Sequence, residues 1–153
     1  YVTHDQAEAM SMADQVVLLH QGKVEQCAAP REMYARPATT FAARFIGTPA
    51  MNLLQLSGNA IAGSQVQLPA PAGAAALGLR PEAVLLLADE GVDAQVTGLE
   101  YLGADVVLRC AIGSEQLTVR APGQQAAALG QTVRVAWRAE DMHFFDAQGR
   151  RMA

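Results

Sequence analysis

Lysine is nearly missing from this chain of 153 residues: of eleven lysines and arginines only Lys23 is a lysine, against fifteen acids, for a formal net charge of −4. Such a balance argues against a nucleic-acid partner or an anionic membrane surface. Cysteine is scarce too. Cys27 and Cys110 stand far apart, without metal-ligand or redox spacing, and read as small buried hydrophobes of a cytosolic protein. No apolar run reaches the roughly 20 residues that a bilayer crossing needs, and no signal-peptide pattern opens the chain. An initiator methionine is absent; Tyr1-Val2-Thr3 starts mid-pattern, so the chain is expected to be a piece of a longer protein. A phosphate-cradling loop requires Gly, four residues, then Gly-Lys-Ser/Thr. Lys23 follows Gly22, but position 24 is Val and position 17 is Val, so that loop is missing. What is present is a hydrophobic fraction of 51% with 17% charge, enough for a packed core and unlike a disordered tail.

Residues 1–47 read as mixed α/β. Tyr1-Val2-Thr3 has strand character. Asp5 opens a helix to about Ala13, with Glu8 three residues on as an acidic version of the capping box. Val16–Leu19 and Val24–Ala28 flank a Gly-containing turn and predict a hairpin. Pro30 suits the first position of a short helix through Ala35, which Arg36-Pro37 stops. Thr40 is placed as the cap of a last helix, Phe41 to Ile46, with Gly47 as its left-handed terminator. Thr48-Pro49 marks a boundary. Beyond Met51 come short β-favouring runs between turn residues: Leu53–Leu56, Gln65–Leu68, Val84–Leu87, Val92–Tyr101, Val106–Ile112, Gln116–Arg120, Thr132–Trp137 and Met142–Phe145. That texture predicts a small barrel or sandwich. Pro69–Ala76 and Gln124–Leu129 read as loops.

His4 is the sharpest chemical feature. A histidine between a strand's carboxyl end and a helix sits where open α/β sheets place ligands, and its imidazole can hydrogen-bond a phosphate oxygen. The surrounding string, Tyr1-Val2-Thr3-His4-Asp5-Gln6-Ala7-Glu8-Ala9-Met10, resembles the switch-histidine segment of ABC importer ATPases. The resemblance continues through Ala13-Asp14, Gly22-Lys23-Val24-Glu25-Gln26, Pro30-Arg31-Glu32-Met33-Tyr34 and Arg36-Pro37. It then takes in Phe45-Ile46-Gly47-Thr48-Pro49-Ala50-Met51-Asn52 and Gly78-Leu79-Arg80-Pro81-Glu82. Weaker matches follow at Glu100–Asp105 and Met142–Asp146.

The resemblance implies a fold that is mainly β with an α/β N-terminal remnant. Residues 1–47 would be the tail of an ABC nucleotide-binding domain. Residues 48–153 would be a transport-associated, OB-like β-barrel with regulatory and dimerising roles. It implies that His4 is the catalytic histidine that contacts the γ-phosphate and holds the attacking water, a task of electrostatic positioning. ATP and Mg would belong to the full-length subunit, an ABC-type ATPase; this chain alone, without the phosphate loop or the signature motif, is expected neither to bind nor to hydrolyse ATP. Implied partners are a second copy of the chain, membrane-spanning permease subunits and a regulatory protein, on the cytoplasmic face of a bacterial inner membrane. Such importers carry oligosaccharides or sn-glycerol 3-phosphate. Glu100–Asp105 with Pro49–Leu54 looks closest to the glycerol-3-phosphate group.

Other features carry less. Leu56-Ser57-Gly58-Asn59 begins like the family's signature motif but lacks its second Gly and its Gln, and it lies after the histidine rather than before it. Trp137, Phe144, Phe145 and Tyr101 are read as β-domain core rather than as a base-stacking platform. After residue 47 seven arginines face ten acids, which opposes a single-strand-binding groove. A different class of function, binding of an oxyanion such as molybdate by the β-domain, would use backbone amides with Arg80 or Arg109. For Arg80 the alternative is an ion pair or a turn contact. His20 and His143 lack partners at metal spacing.

Overall fold

The computed structural model describes residues 1–125 and 127–153. Its N-terminal part holds helix α1 (Gln6–Met12), the antiparallel hairpin of β1 (Val16–His20) and β2 (Lys23–Ala28), and helices α2 (Pro30–Ala35) and α3 (Thr40–Phe45). These elements share a small core of Leu18, Ala28, Met33, Ala42 and Ile46. The hairpin's other face is open: Val17, Leu19 and Val24 are 52%, 63% and 62% exposed.

The remaining strands form two sheets. One contains β3 (Asn52–Ser57), β4 (Ala60–Ile61), β5 (Ala74–Leu79) and β11 (His143–Asp146), in the order β11-β5-β3-β4. The other contains β6 (Leu85–Leu87), β7 (Val92–Tyr101), β8 (Asp105–Ile112), β9 (Glu115–Pro122) and β10 (Thr132–Ala136), in the order β6-β10-β7-β8-β9. The pairings between these strands are antiparallel. Together they make a curled half-barrel of OB-like character. Alternation decides which side chains fill it, because successive strand residues point to opposite faces. Val106, Leu108, Cys110 and Ile112 of β8 and Leu117, Val119 and Ala121 of β9 point inward. They meet Leu54, Leu77 and Leu79 from the other sheet.

Several sequence expectations need correction. Tyr1–Thr3 belongs to no strand. The phenol of Tyr1 and the hydroxyl of Thr3 instead donate to the Glu8 carboxylate. Helix α3 starts one residue early, because Thr39 rather than Thr40 is its cap: the Thr39 hydroxyl accepts from the Ala42 amide at 3.1 Å. Gln65–Leu68 is not a strand. Only Gln67 bridges Ala60, while the Ile61 and Leu68 amides bond across the turn in an irregular pattern. Pro69–Ala76 is a loop only in its first part, since β5 begins at Ala74 and lies between β11 and β3. Its small residues answer a packing demand: a Cβ at Gly78 would sit 2.7 Å from the Met51 sulfur and 2.8 Å from the Phe145 ring. In the Gln124–Leu129 stretch, Ala126 lies outside the described residues.

Candidate functional site

His4 is exposed, in a bend just before α1. The start of that helix is firmly built. The Asp5 carboxylate accepts from the Glu8 amide at 3.1 Å, and the Asp5 amide donates to the Thr3 hydroxyl at 3.0 Å. Asp5 is thus the helix cap expected of it, satisfying one of the orphan amides of a helix start. Glu8 does not complete the reciprocal box; its carboxylate holds Tyr1 and Thr3. The side-chain oxygen of Gln6 accepts from the Gly47 amide at 2.9 Å, tying this segment to the end of α3.

The second cluster centres on Arg80, which is 6% exposed. Its Nη1 donates to the Ile46 carbonyl at 2.6 Å and more weakly to that of Ala43 at 3.4 Å; its Nη2 donates to the Tyr34 carbonyl at 2.7 Å. These carbonyls close the C-terminal turns of α2 and α3, where helices leave acceptors unpaired and partial negative charge gathers. The guanidinium also lies 4.0 Å from the centroid of the Tyr34 ring, within cation–π range. Burial and the Tyr34 hydroxyl's hydrogen bond to Glu82 push that phenol up to about 12. Arg80 is therefore a contact between the β-rich part and the helices. Its two terminal nitrogens are engaged by backbone carbonyls and the side chain is buried, so it presents no open face to an oxyanion such as molybdate. Arg109 lies elsewhere, exposed on β8 over Gly98.

Further contacts fasten the two parts. The Arg151 amide donates to the Ala38 carbonyl and the Thr40 amide to that of Gly149. Buried Asn52 bridges the sheets, donating to the Thr118 carbonyl at 2.8 Å and accepting from the Thr118 amide at 2.7 Å. His143 lies 2.7 Å from an Arg151 nitrogen; burial and that cation lower it to about 4, so it is a neutral acceptor. His20 stacks on Phe41 at 3.7 Å. Cys110 is buried as expected, whereas Cys27 is exposed. Phe145 is fully buried and Trp137 and Phe144 pack on the core, but Tyr101 is 69% exposed and is not a core residue. Leu56–Asn59 is the end of β3 and its turn. Two clefts run along α3, one lined by Thr40, Phe41, Arg44 and Phe45; the other adds the turn 146–149. Neither includes His4 or Arg80. Among the described residues no helix is long and apolar enough to cross a membrane.

The half-barrel with its Leu-Arg-Pro-Glu anchor has known relatives. Residues 77–145 match the family model described as the TOBE domain. Over this stretch the chain is similar to that domain family. Nearly the whole chain is similar to the C-terminal region of ABC importer ATP-binding subunits. It is 42% identical over 172 residues to the sn-glycerol-3-phosphate import ATP-binding protein of Rhodopseudomonas palustris, covering 99% of this chain and 47% of that protein. To the protein of the same description from Cereibacter sphaeroides it is 45% identical over 162 residues, covering 99% and 46%. For the Chromohalobacter salexigens protein the identity is 44% over 167 residues, covering 99% and 45%. The chain spans about half the length of the curated relatives it matches.

Sequence reasoning missed Gln6, Tyr34 and Asn52 as structural partners. Gln6 and Tyr34 bond across 41 and 48 residues, distances at which no local pattern carries a signal. Asn52 had a cue, as the polar residue directly before the mostly apolar run Leu53–Leu56.

Proposed function

We propose that this chain is the C-terminal part of an ABC importer's ATP-binding subunit, which couples ATP hydrolysis to uptake of a solute, with sn-glycerol 3-phosphate as that solute. The observation that carries the proposal is identity above 40% along nearly the whole chain to three proteins described as sn-glycerol-3-phosphate import ATP-binding proteins. Residues 1–47 would be the tail of the nucleotide-binding domain and residues 48–153 the regulatory domain. His4 would contact the γ-phosphate and hold the attacking water. An exposed imidazole directly before a well-capped helix suits that task, because it is fixed at its base and open at its tip. The sequence contains no Gly-x4-Gly-Lys-Ser/Thr phosphate loop, so ATP and Mg would be held by the rest of the full-length subunit.

Two copies would pair through the β-rich part, on the cytoplasmic face of the membrane and against permease subunits, with room for a regulatory protein on the TOBE domain. A two-fold contact needs only one self-complementary patch per chain, expected to bury at least about 1,000 Å². The experiment is uptake of labelled sn-glycerol 3-phosphate by cells lacking the full-length subunit. Loss of uptake, restored by the wild-type gene, is the expected result; undiminished uptake would refute the solute assignment.

A further inference from the structure

We propose that Gln6 and Arg80 are positioning residues for His4, joined through a single peptide group. The inference rests on the reading of His4 as the γ-phosphate residue. The Ile46–Gly47 peptide is bonded at both ends. Its carbonyl accepts from Arg80 Nη1 at 2.6 Å, and its amide donates to Gln6 Oε1 at 2.9 Å. A peptide group is planar and rigid, with its N–H and C=O pointing to opposite sides. A displacement of Arg80 is therefore passed to Gln6 without a soft torsion inside that group. Hydrogen bonds in such a series also polarise one another. Gln6 is the first residue of α1, and His4 lies two residues before it.

Helix α1 has few other holds. None of its residues is buried, and among the described residues the Gln6 bond is its one side-chain hydrogen bond beyond residue 12. Met10 adds only a partly buried contact with the small core. Within this chain the bond of Gln6 to the Ile46–Gly47 peptide is what ties α1, and the bend that carries His4, to Arg80. Position 47 is built for this close approach: its φ is +109°, and a Cβ would lie 2.8 Å from Arg80 Nη1 and 3.1 Å from the Tyr34 ring. Arg80 comes from the TOBE domain, held against Tyr34 and with Glu82 on the Tyr34 hydroxyl. The connection thus gives the TOBE domain a grip on the histidine segment, and anything that shifts Arg80 changes how His4 is aimed.

The test uses the full-length subunit assembled with its membrane subunits and measures kcat and KM for ATP. Gln6→Ala and Arg80→Ala are each expected to lower kcat about tenfold with KM changed less than about twofold, since misplacement away from the chemistry acts on the transition state. The double variant should fall no further than about twofold below the worse single one, because both break the same connection. Gln6→Glu, which keeps an acceptor for the Gly47 amide, should recover most of the loss; a generally weakened helix would not be rescued that way. If Arg80→Ala does not fold, Arg80→Lys takes its place in the cycle. Gln6→Ala within about twofold of wild type, alongside a loss of about 100-fold in His4→Ala, overturns the inference and leaves the reading of His4 standing. Multiplicative losses in the double variant overturn the connection. Full turnover in His4→Ala overturns the reading of His4, and the inference with it.

Discussion

Replacing Arg80 with alanine removes a buried, charged tie between the helices and the β-rich part. The two short bonds, at 2.6 and 2.7 Å, involve a charged donor and are worth about 1.5–3 kcal/mol each, or about 3–6 kcal/mol together. Loss of the Tyr34 contact adds about 1 kcal/mol. Against this, the buried Nε of Arg80 has no partner, and relief of that penalty returns about 1–3 kcal/mol. The expected net loss is about 3 kcal/mol, which lowers the Tm of a chain this size by about 6–12 °C. Urea denaturation of the 153-residue chain, followed by Trp137 fluorescence, reads it directly. Arg80→Lys keeps the charge but not the fork that spans two helix ends, so it should recover less than about half of the loss. A loss below about 1 kcal/mol for Arg80→Ala would refute the view that this guanidinium holds the two parts together.

His143 gives a pH signature. Its folded value of about 4 lies below the ordinary imidazole value of 6.5, so the unfolded chain binds the extra proton first, and stability is complete above about pH 6.5 and falls as pH drops towards 4. His143→Gln should flatten the stability profile within that window, as measured by denaturation at several pH values. Asn52→Leu strands the amide and carbonyl of Thr118 and should cost about 2–4 kcal/mol; equilibrium denaturation with an unchanged m-value is the check.

The local geometry was legible wherever chemistry and spacing are local. Strand β7, Val92–Tyr101, follows from its alternation and its bounding turns, and α2 from the proline at its first position. Asp5 reads correctly as a cap because the amide it serves is three residues away. Strand β5 was hidden because Ala74–Gly78 has little β-propensity. It is a strand because β3 and β11 pair with it on either side, and at Gly78 Met51 and Phe145 leave no room for a Cβ. Thr39 and Thr40 are chemically equivalent caps, and only the backbone decides between them. Val66 and Leu68 look like strand residues but serve as apolar partners of a turn, Leu68 among the buried core residues. Tyr101 and Cys27 look like core by composition, yet strand alternation turns both outward. At the candidate site His4 stands out in the sequence. The partners that orient it, Gln6, Gly47 and Arg80, meet only through contacts 34 and 41 residues apart.

The most direct test of the account is ATP turnover by the full-length subunit, assembled with its membrane subunits, carrying His4→Ala. The account predicts a fall in kcat of at least about 100-fold with nucleotide affinity nearly unchanged, because the imidazole acts on the transition state. Turnover close to wild type, or a loss of affinity as large as the loss of kcat, would contradict it.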